Sequence, residues 1–268
     1  RGDKTDWLRG QDITACAEGD FLYWDVPAGL WTVVAVSKTR AGSVDPSYID
    51  MMEPKSVDAL IEAVYEPHYE HYGVQFGKTF AGFFSDEPRI GNGMYVNPFD
   101  PPNVYNCTLG IEGMAYPWND AFYGALARRV EGFAPSMLTA LWFDIGEKTA
   151  EIRGAFMEEV TDAYSRNFVQ KLGDWCRARG VLYSGHIIED MGAHTRLGFS
   201  AGHYFKSMRG ADIAGIDVVL HQIRPEFPEY THRISLGGGF SDATFFNYTL
   251  AKLASSDAHI DPAKQGRA

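Results

Sequence analysis

Short apolar runs and longer stretches of helically spaced apolar residues alternate along this chain. Each run is bounded by turn residues, which is typical of a buried strand, and the predicted strands lie at 31–37, 80–85, 181–186 and 216–221. The longer stretches predict helices at about 54–72, 118–142, 147–179, 198–210 and 241–256. Gly180 follows the longest of these helices and suits its C-terminal cap. The alternation of strand and helix predicts a parallel sheet.

Polar residues follow several predicted strands where the apolar run ends, as Asp86 and His186 do. An α/β barrel builds its active site at the carboxyl ends of its strands. The pattern therefore predicts an α/β fold of the (β/α)8 TIM-barrel type. The chain supplies about four βα units, which is fewer than a closed barrel requires. We expect residues 31–268 to be part of a catalytic barrel, residues 1–30 to end a preceding segment, and the remaining domains of a larger chain to complete the enzyme.

The amino-acid composition indicates which classes of binding partner to expect for this protein. The 268 residues carry 24 Lys and Arg against 35 Asp and Glu, a formal net charge of −11, whereas nucleic-acid-binding proteins concentrate basic residues on one face. We therefore expect no nucleic acid and no membrane as a partner, and no apolar stretch approaches the roughly 20 residues of a membrane span. Cys16, Cys107 and Cys176 are far apart and odd in number, which predicts free thiols. The cysteine pattern does not indicate a cellular compartment.

The tetrapeptide Ser85-Asp86-Glu87-Pro88 is the strongest candidate for chemistry. It follows a tightly packed apolar run that contains Gly82, and such packing positions a carboxyl group. A half-buried carboxyl group keeps its proton to higher pH and can donate it. We interpret Glu87 as a general acid and Asp86 as a substrate contact. The alternative is a structural role, as an acid at the start of a helix or as the partner of Arg89.

The segment Gly185-His186-Ile187-Ile188-Glu189-Asp190 repeats this pattern at the end of another predicted strand. Glycoside hydrolysis requires two carboxyl groups, one to protonate the leaving oxygen and one to activate water or attack carbon. Glu189 is the candidate for the second group beside Glu87, and His186 and Asp190 are candidate substrate contacts. The alternatives are that His186 caps the sheet through hydrogen bonds and that Asp190 caps a following helix.

Two further residues are candidate sugar contacts. His221 stands at the end of the predicted strand 216–221 and fits a hydroxyl contact, although a histidine there is also a common structural feature. Trp118 follows the Gly-, Asn- and Pro-rich segment 89–117, which we predict to be a loop over the site, and its ring suits stacking on a sugar. The alternative for Trp118 is an exposed aromatic residue without a function, since 14% of the residues are aromatic.

Three segments resemble the catalytic barrel of the α-L-rhamnosidases of glycoside hydrolase family 106 and related bacterial hydrolases. They are Gly82-Phe83-Phe84-Ser85-Asp86-Glu87-Pro88, Gly185-His186-Ile187-Ile188-Glu189-Asp190 and Ala254-Ser255-Ser256-Asp257-Ala258-His259-Ile260-Asp261-Pro262. The likeness spans about residues 24–268. Enzymes of this family are large, with β-sandwich modules after a (β/α)8 barrel, and hydrolyse α-L-rhamnosidic bonds with inversion, aided by a bound calcium ion. The resemblance implies the same fold, reaction and cofactor here.

The resemblance also implies roles for individual residues. Glu87 matches the general acid, and Glu189 matches an acidic position that serves as base, sugar ligand or calcium ligand. The family usually has two glutamates after the histidine strand, whereas this chain has Glu189 followed by Asp190. The shorter Asp190 puts the family's substrate and metal contacts at this position in question. Glu189 and Asp190 are the candidate calcium ligands.

The leading hypothesis is therefore an inverting glycoside hydrolase that acts on an α-L-rhamnoside or a similar deoxy-sugar of a poly- or oligosaccharide. One alternative is a non-catalytic carbohydrate-binding segment whose carboxylates only hydrogen-bond sugar hydroxyls. Another is a metal-dependent hydrolase with an ion-activated water, in which the ligands are His186, Glu189, Asp190 and His221. Oxygen ligands of this kind favour calcium or magnesium over zinc.

Overall fold

The computed structural model describes residues 5–40, 47–90, 109–188, 200–219, 223, 232–233, 240–241 and 245–268. In these ranges the α-helices are α1 (Pro54–Leu60), α2 (Glu66–Tyr72), α3 (Ala121–Arg129), α4 (Thr149–Tyr164), α5 (Lys171–Ala178), α6 (Tyr204–Ser207) and α7 (Leu250–Ile260). The π-helical turns are Ile61–Tyr65, Ser165–Gln170 and Phe245–Thr249. The strands are β1 (Ala17–Glu18), β2 (Phe21–Leu22), β3 (Gly82–Ser85), β4 (Leu182–Gly185), β5 (His232–Arg233) and β6 (Phe240–Ser241).

The strands within the described residues form three two-stranded sheets, β1–β2, β3–β4 and β5–β6, and only β3–β4 is parallel. The predicted (β/α)8 barrel is therefore wrong, also in its partial form of about four βα units, and the fold is mixed α/β. Two predicted strands are confirmed, since 80–85 contains β3 and 181–186 contains β4. Helices α3, α4 and α5 lie in the connection between these two strands.

The predicted strands 31–37 and 216–221 are not strands where the structure describes them. The run 31–37 lies largely exposed, with Val33 55% and Val36 52% accessible. Strand propensity reflects packing on a pleated surface, so a β-branched run that is not paired with a neighbouring strand stays irregular. Residues 216–219 are irregular as well, and the last two residues of that predicted strand lie outside the described residues.

The pairing of β3 with β4 sets the geometry of the centre of the molecule. Gly82 lies opposite Leu182 in this ladder, and a β-carbon at Gly82 would come within 2.0 Å of the Leu182 carbonyl oxygen. Only glycine permits this approach. Phe83 packs against Tyr65 and Trp175, with ring centroids 4.2 and 5.7 Å away. One face of the strand pair is thus fixed against the helices.

The predicted helix 54–72 is confirmed as α1, a π-helical turn and α2 in succession. Pro54 occupies the first turn, where a missing N–H group costs nothing, and the Glu53 carboxylate accepts a hydrogen bond from the Lys55 N–H. Pro67 does not end the helix, because it falls in the first turn of α2, directly after the π-helical turn. A π-helical turn of this kind often accompanies an interruption inside a long helix.

The predicted helix 147–179 is confirmed as α4, a π-helical turn and α5, and Gly180 follows it with φ +73°, as a C-terminal cap requires. The other predicted helices differ more from the structure. The range 118–142 contains α3 and a separate 3-10 helix, and α6 covers only four residues of 198–210. The helix predicted at 241–256 ends later than expected, with α7.

Two hydrophobic clusters make up most of the core. The larger one joins α1, α5 and the strand pair, with Val57, Leu172 and Tyr183 among its buried members. The second lies between α3 and α4, around Phe122 and Phe156. None of the helices in the described part of the chain combines the length and the apolarity needed to cross a membrane.

The cysteines that the structure describes, Cys16 and Cys176, are free, as predicted, and Cys107 lies outside the described residues. Burial raises the pKa of the Cys176 thiol to about 12. Cys176 therefore keeps its proton and packs as an apolar group in the larger cluster.

Candidate functional site

Three titratable side chains meet at the carboxyl ends of β3 and β4. They are Glu87, which follows β3, His186, which follows β4, and Asp217, from the segment after α6. One ligand atom of each lies within 4.8 Å of the other two. His186 is only 2% exposed, whereas Glu87 and Asp217 are half-buried. An imidazole and two carboxyl groups at this distance can pass a proton between them or share a cation.

Strand pairing brings Asp86 and His186 together. The ladder matches Ser85 with Gly185, and one residue further the His186 N–H donates to the Ser85 carbonyl oxygen at 3.1 Å. The imidazole Nε2 of His186 lies 2.8 Å from Asp86 Oδ1. The Asp86 side chain is 77% exposed and that of His186 is 1% exposed. Asp86 therefore orients the buried imidazole from the solvent side.

Glu87 sits on a strained backbone. Its φ is +39°, in the left-handed region that costs a residue with a side chain about 1–2 kcal/mol. Strain of this kind persists where the surrounding structure imposes it, and it is enriched at functional sites. The turn takes the chain out of β3 at once and leaves the Glu87 carboxyl group beside His186.

Asp217 reaches the cluster because the chain before it lies directly against the end of β4. A β-carbon at Gly215 would come within 1.9 Å of the Gly185 carbonyl oxygen, and a β-carbon at Gly185 would come within 2.6 Å of the Ser85 carbonyl oxygen. The Tyr204 hydroxyl donates to the Gly215 carbonyl oxygen at 2.7 Å. Backbone therefore packs on backbone under the cluster, without intervening side chains.

Two buried tyrosines support the end of β3 from below. The Tyr183 hydroxyl donates to Ser85 Oγ at 2.9 Å. Burial raises the pKa of Tyr183 well above its ordinary value, and burial also raises the pKa of Tyr65, which hydrogen-bonds to the same serine. Both phenols keep their protons, so this layer is uncharged.

The structure brings together some of the predicted site residues and leaves others elsewhere. Glu87, Asp86 and His186 lie together, as their places at strand ends suggested. The Trp118 ring instead packs edge-on against Phe122, in the hydrophobic cluster between α3 and α4. The remaining predicted residues, which lie outside the described residues, are Glu189, Asp190 and His221.

Asp217 is the member of the cluster that we did not predict. It stands inside the apolar run 216–221, where our interpretation emphasised only the final histidine. The sequence contains a signal for Asp217, because an aspartate within an apolar run is unusual in a buried strand and needs a polar partner. The missing information was the path of the chain, which meets β4 at Asp212 and Gly215 and is irregular at 216–219.

The third segment of the family resemblance has a structural explanation. Asp257 and Asp261 flank the Lys264 ammonium, which is fully buried, with Lys264 Nζ 3.4 Å from Asp257 Oδ2 and 2.8 Å from Asp261 Oδ2. Lys264 Nζ also donates to the Met208 carbonyl oxygen at 3.1 Å. These contacts fasten the residues after α7 to the segment after α6.

The donor set of the cluster argues against calcium. Calcium takes about 6–8 oxygen ligands, whereas Glu87, Asp217 and His186 offer two carboxylates and an imidazole nitrogen. The predicted calcium ligands Glu189 and Asp190 lie outside the described residues. The mixed oxygen and nitrogen set instead suits a transition metal such as manganese, iron or zinc.

Comparisons of the chain with protein-family models, with curated proteins and with solved structures gave no match.

Proposed function

We propose that this protein is a glycoside hydrolase in which Glu87 protonates the leaving glycosidic oxygen. The observation that carries the proposal is the approach of Glu87, Asp217 and His186 to within 4.8 Å of one another, because glycoside hydrolysis needs a pair of carboxyl groups at one site. The argument rests on the site and not on the fold, since one chemistry recurs on unrelated folds.

In the proposed reaction, Glu87 transfers its proton to the glycosidic oxygen while the bond between that oxygen and the anomeric carbon breaks. The positive charge that develops on the sugar is stabilised by the second carboxylate, and water attacks the anomeric carbon, gives one proton to that carboxylate and leaves the new hydroxyl group on the sugar. His186, which Asp86 orients, hydrogen-bonds a sugar hydroxyl. Asp217, which has one oxygen within 4.8 Å of ligand atoms of Glu87 and His186, passes the next proton to Glu87.

The identity of the second carboxyl group determines the stereochemistry. Inverting enzymes separate their two carboxyl groups by about 6.5–9.5 Å to leave room for a water molecule, and retaining enzymes by about 5–5.5 Å. Glu87 and Asp217, with one oxygen of each within 4.8 Å, lie nearer to the retaining separation than to the inverting one. Inversion, which we propose by the family resemblance, therefore needs Glu189 as the base. Retention would instead make Asp217 the nucleophile.

The experiment measures hydrolysis of paired glycosides, each sugar offered with a nitrophenyl and with a methyl leaving group, and α-L-rhamnosides lead the panel. A general acid matters most for a poor leaving group, so Glu87→Gln should lose about 100-fold or more on the methyl glycoside and less on the nitrophenyl glycoside. Glu62→Gln, an exposed glutamate of the π-helical turn before α2, is the matched control and should keep full activity.

Two results would overturn this proposal. One is a wild-type protein that binds oligosaccharide and releases no sugar from any substrate. The other is an equal loss in Glu87→Gln for both leaving groups, which would remove the general acid role. The anomer of the first product, followed by NMR, separates inversion by Glu189 from retention by Asp217.

A metal-dependent hydrolase is the second candidate, and the same three ligand atoms favour it. In that case Glu87, His186 and Asp217 would hold a transition metal, which supplies an activated water. Activity would then disappear on chelation and return with manganese or zinc but not with calcium. Activity that survives chelation would exclude this candidate and leave the acid mechanism.

A further inference from the structure

The segment that carries Asp217 begins with a buried acid, Asp212, which the proposed reaction does not use. Asp212 is 4% exposed. Its Oδ2 accepts a hydrogen bond from the Tyr183 N–H at 2.9 Å, and its own N–H donates to the Tyr183 carbonyl oxygen at 2.8 Å. Both backbone groups of Tyr183 are therefore bound by one residue.

These two hydrogen bonds lie on the edge of β4 that faces away from β3. The N–H groups of Leu182 and His186 donate to β3, to the carbonyl oxygens of Ala81 and Ser85. In a parallel ladder alternate residues of a strand face opposite edges, so Tyr183 faces the other side. Asp212 takes the place of a third strand there and closes an edge that would otherwise need a partner.

Further contacts hold two of the residues that follow Asp212, Ala214 and Gly215. The Ala214 N–H donates to the Arg267 carbonyl oxygen at 3.0 Å, and Arg267 Nε donates to the Asp212 carbonyl oxygen at 3.1 Å. Gly215 is held between the Tyr204 hydroxyl and the Gly185 carbonyl oxygen, as described above. The chain thus has little freedom between Asp212 and Asp217.

We propose that Asp212 is a positioning residue that sets the place of the Asp217 carboxyl group relative to Glu87 and His186. It fastens the start of a short, tightly held segment to β4, the strand that also delivers His186. The expected effect of Asp212 on activity rests on the proposed function, whereas its expected effect on the mobility of the segment 212–217 does not. Asp212 itself contacts no substrate.

Arg177 binds the carboxylates of both Asp212 and Asp174, and Asp174 therefore offers a matched control variant. Arg177 donates through Nη1 to Asp212 Oδ1 at 3.0 Å and through Nη2 to Asp174 Oδ1 at 2.7 Å. The Asp174 side chain is 76% exposed and that of Asp212 is 5% exposed. In Asp212→Asn the amide has only one acceptor oxygen, so it cannot accept from both the Tyr183 N–H and the Arg177 guanidinium group, and its nitrogen faces one of these two donors. Asp174→Asn removes a carboxylate from the same guanidinium without touching β4.

The first measurement is steady-state kinetics on the glycoside that the wild type cleaves. Asp212→Asn should lower kcat about 10-fold or more with little change in KM, because a small displacement of a catalytic group slows the chemical step. Asp174→Asn should stay within about 2-fold of the wild type. Adding Asp212→Asn to Asp217→Asn should cost nothing further, since residues that act as one unit are not additive. Multiplicative losses would overturn the proposal.

The second measurement is amide hydrogen exchange, which needs no activity. Peptides that cover 182–187 and 211–217 should exchange faster in Asp212→Asn than in Asp174→Asn, while the helices α3 and α4 stay protected. Tyr204→Phe removes the hydroxyl group that binds the Gly215 carbonyl oxygen, and it should also speed exchange in these two peptides. It is the second test variant if Asp212→Asn does not fold. Unchanged exchange in both variants overturns the proposal. Faster exchange in a wild-type protein that cleaves no glycoside would leave the positioning role intact and remove the proposed function instead.

Discussion

Glu87 and Asp257 are both acids that lie close to a second carboxyl group, and they differ in what faces them. Glu87 is half-buried beside Asp217 and the imidazole of His186. Asp257 is 2% exposed beside Asp261, and the ammonium of Lys264 lies between the two. The first group lies at the carboxyl ends of two strands and is partly accessible to solvent, whereas the second is a buried ion cluster that links α7 to the residues after it. The same residue types therefore form an accessible cluster suited to chemistry in one place and a buried ion cluster in another.

The difference teaches how to weigh the segments of the family resemblance. Ser85-Asp86-Glu87-Pro88 places its acids at the end of a parallel strand, on a backbone with a strained φ at Glu87. The segment around Asp257 places its acids in and after a helix, against a buried lysine. An acid that has a buried cation as its partner needs no catalytic explanation.

The largest expected effect comes from removing the cation of the second cluster. Lys264→Met leaves Asp257 buried without its counter-charge and should lower the free energy of unfolding by about 3–5 kcal/mol. Urea unfolding at neutral pH measures it. The double variant Lys264→Met with Asp257→Asn should recover part of the loss, because the uncompensated charge is gone. A single variant as stable as the wild type would show that the ion cluster contributes nothing.

Asp261 should matter less, and its effect should depend on pH. Burial opposes its ionisation, but the hydrogen bonds from Lys264 and from the Ala263 N–H outweigh burial and hold its pKa below the ordinary value. The folded state then binds this proton less tightly than the unfolded state does. The stabilisation is present above the ordinary aspartate pKa of about 4 and is lost as pH falls through the lowered value.

Asp261→Asn should therefore cost about 1–2 kcal/mol at neutral pH and flatten the fall in stability below about pH 4. Urea unfolding between neutral and acid pH, beside the wild type, measures both effects. An acid slope that is the same in the variant and the wild type would contradict the role given to Lys264.

Relief of strain at Glu87 is a smaller effect, and it separates stability from chemistry. Glu87→Gly fits φ +39° without strain, although glycine gains freedom in the unfolded chain. We expect a gain of at most about 1 kcal/mol, together with loss of sugar release. Glu87→Gln, which keeps the side chain and the strain, should lose activity without that gain. Equal stability of the two variants would show that the surroundings do not impose the strain.

The smallest effect is expected at Asp257. Burial raises its pKa, and the nearby Lys264 compensates only in part. Its Oδ2 accepts no hydrogen bond among the described residues. A raised pKa stabilises the fold at acid pH and ceases to do so as pH rises through the folded value. Asp257→Asn should thus change the free energy of unfolding at neutral pH by less than about 1 kcal/mol. The dependence of its stability on pH, relative to the wild type, should be opposite in sign to that of Asp261→Asn. A loss at neutral pH as large as that of Asp261→Asn would contradict this assignment.

The elements that the sequence predicted well are those that local pattern determines. The helices that contain Val57 and Phe156 follow from apolar residues at helical spacing, and β3 and β4 follow from apolar runs that pair with each other. The run 31–37 has the same local pattern, but a strand exists only where a neighbour pairs with it. The number of strands, and hence the barrel, therefore could not be obtained from local pattern.

Two of the three residues of the cluster could be predicted for a similar reason. Glu87 and His186 stand next to residues that pair in one ladder, so a strand pattern alone places them together. Asp217 arrives by an irregular path that depends on Gly215 and on contacts with Tyr204. No periodic pattern encodes such a path. Trp118, the predicted stacking residue, is half-buried and packs edge-on against Phe122, and local pattern did not predict this contact.

Three glycines in and beside the strand pair β3–β4 have a consequence for the engineering of this protein. At Gly82, Gly185 and Gly215 an added β-carbon would meet a backbone carbonyl oxygen, at 2.0, 2.6 and 1.9 Å respectively. The base of the site, at Gly185 and Gly215, is thus peptide backbone, which a change of side chain does not reshape. A library for directed evolution should leave these three codons unchanged and place its diversity in the side chains above them, where the backbone geometry survives every choice.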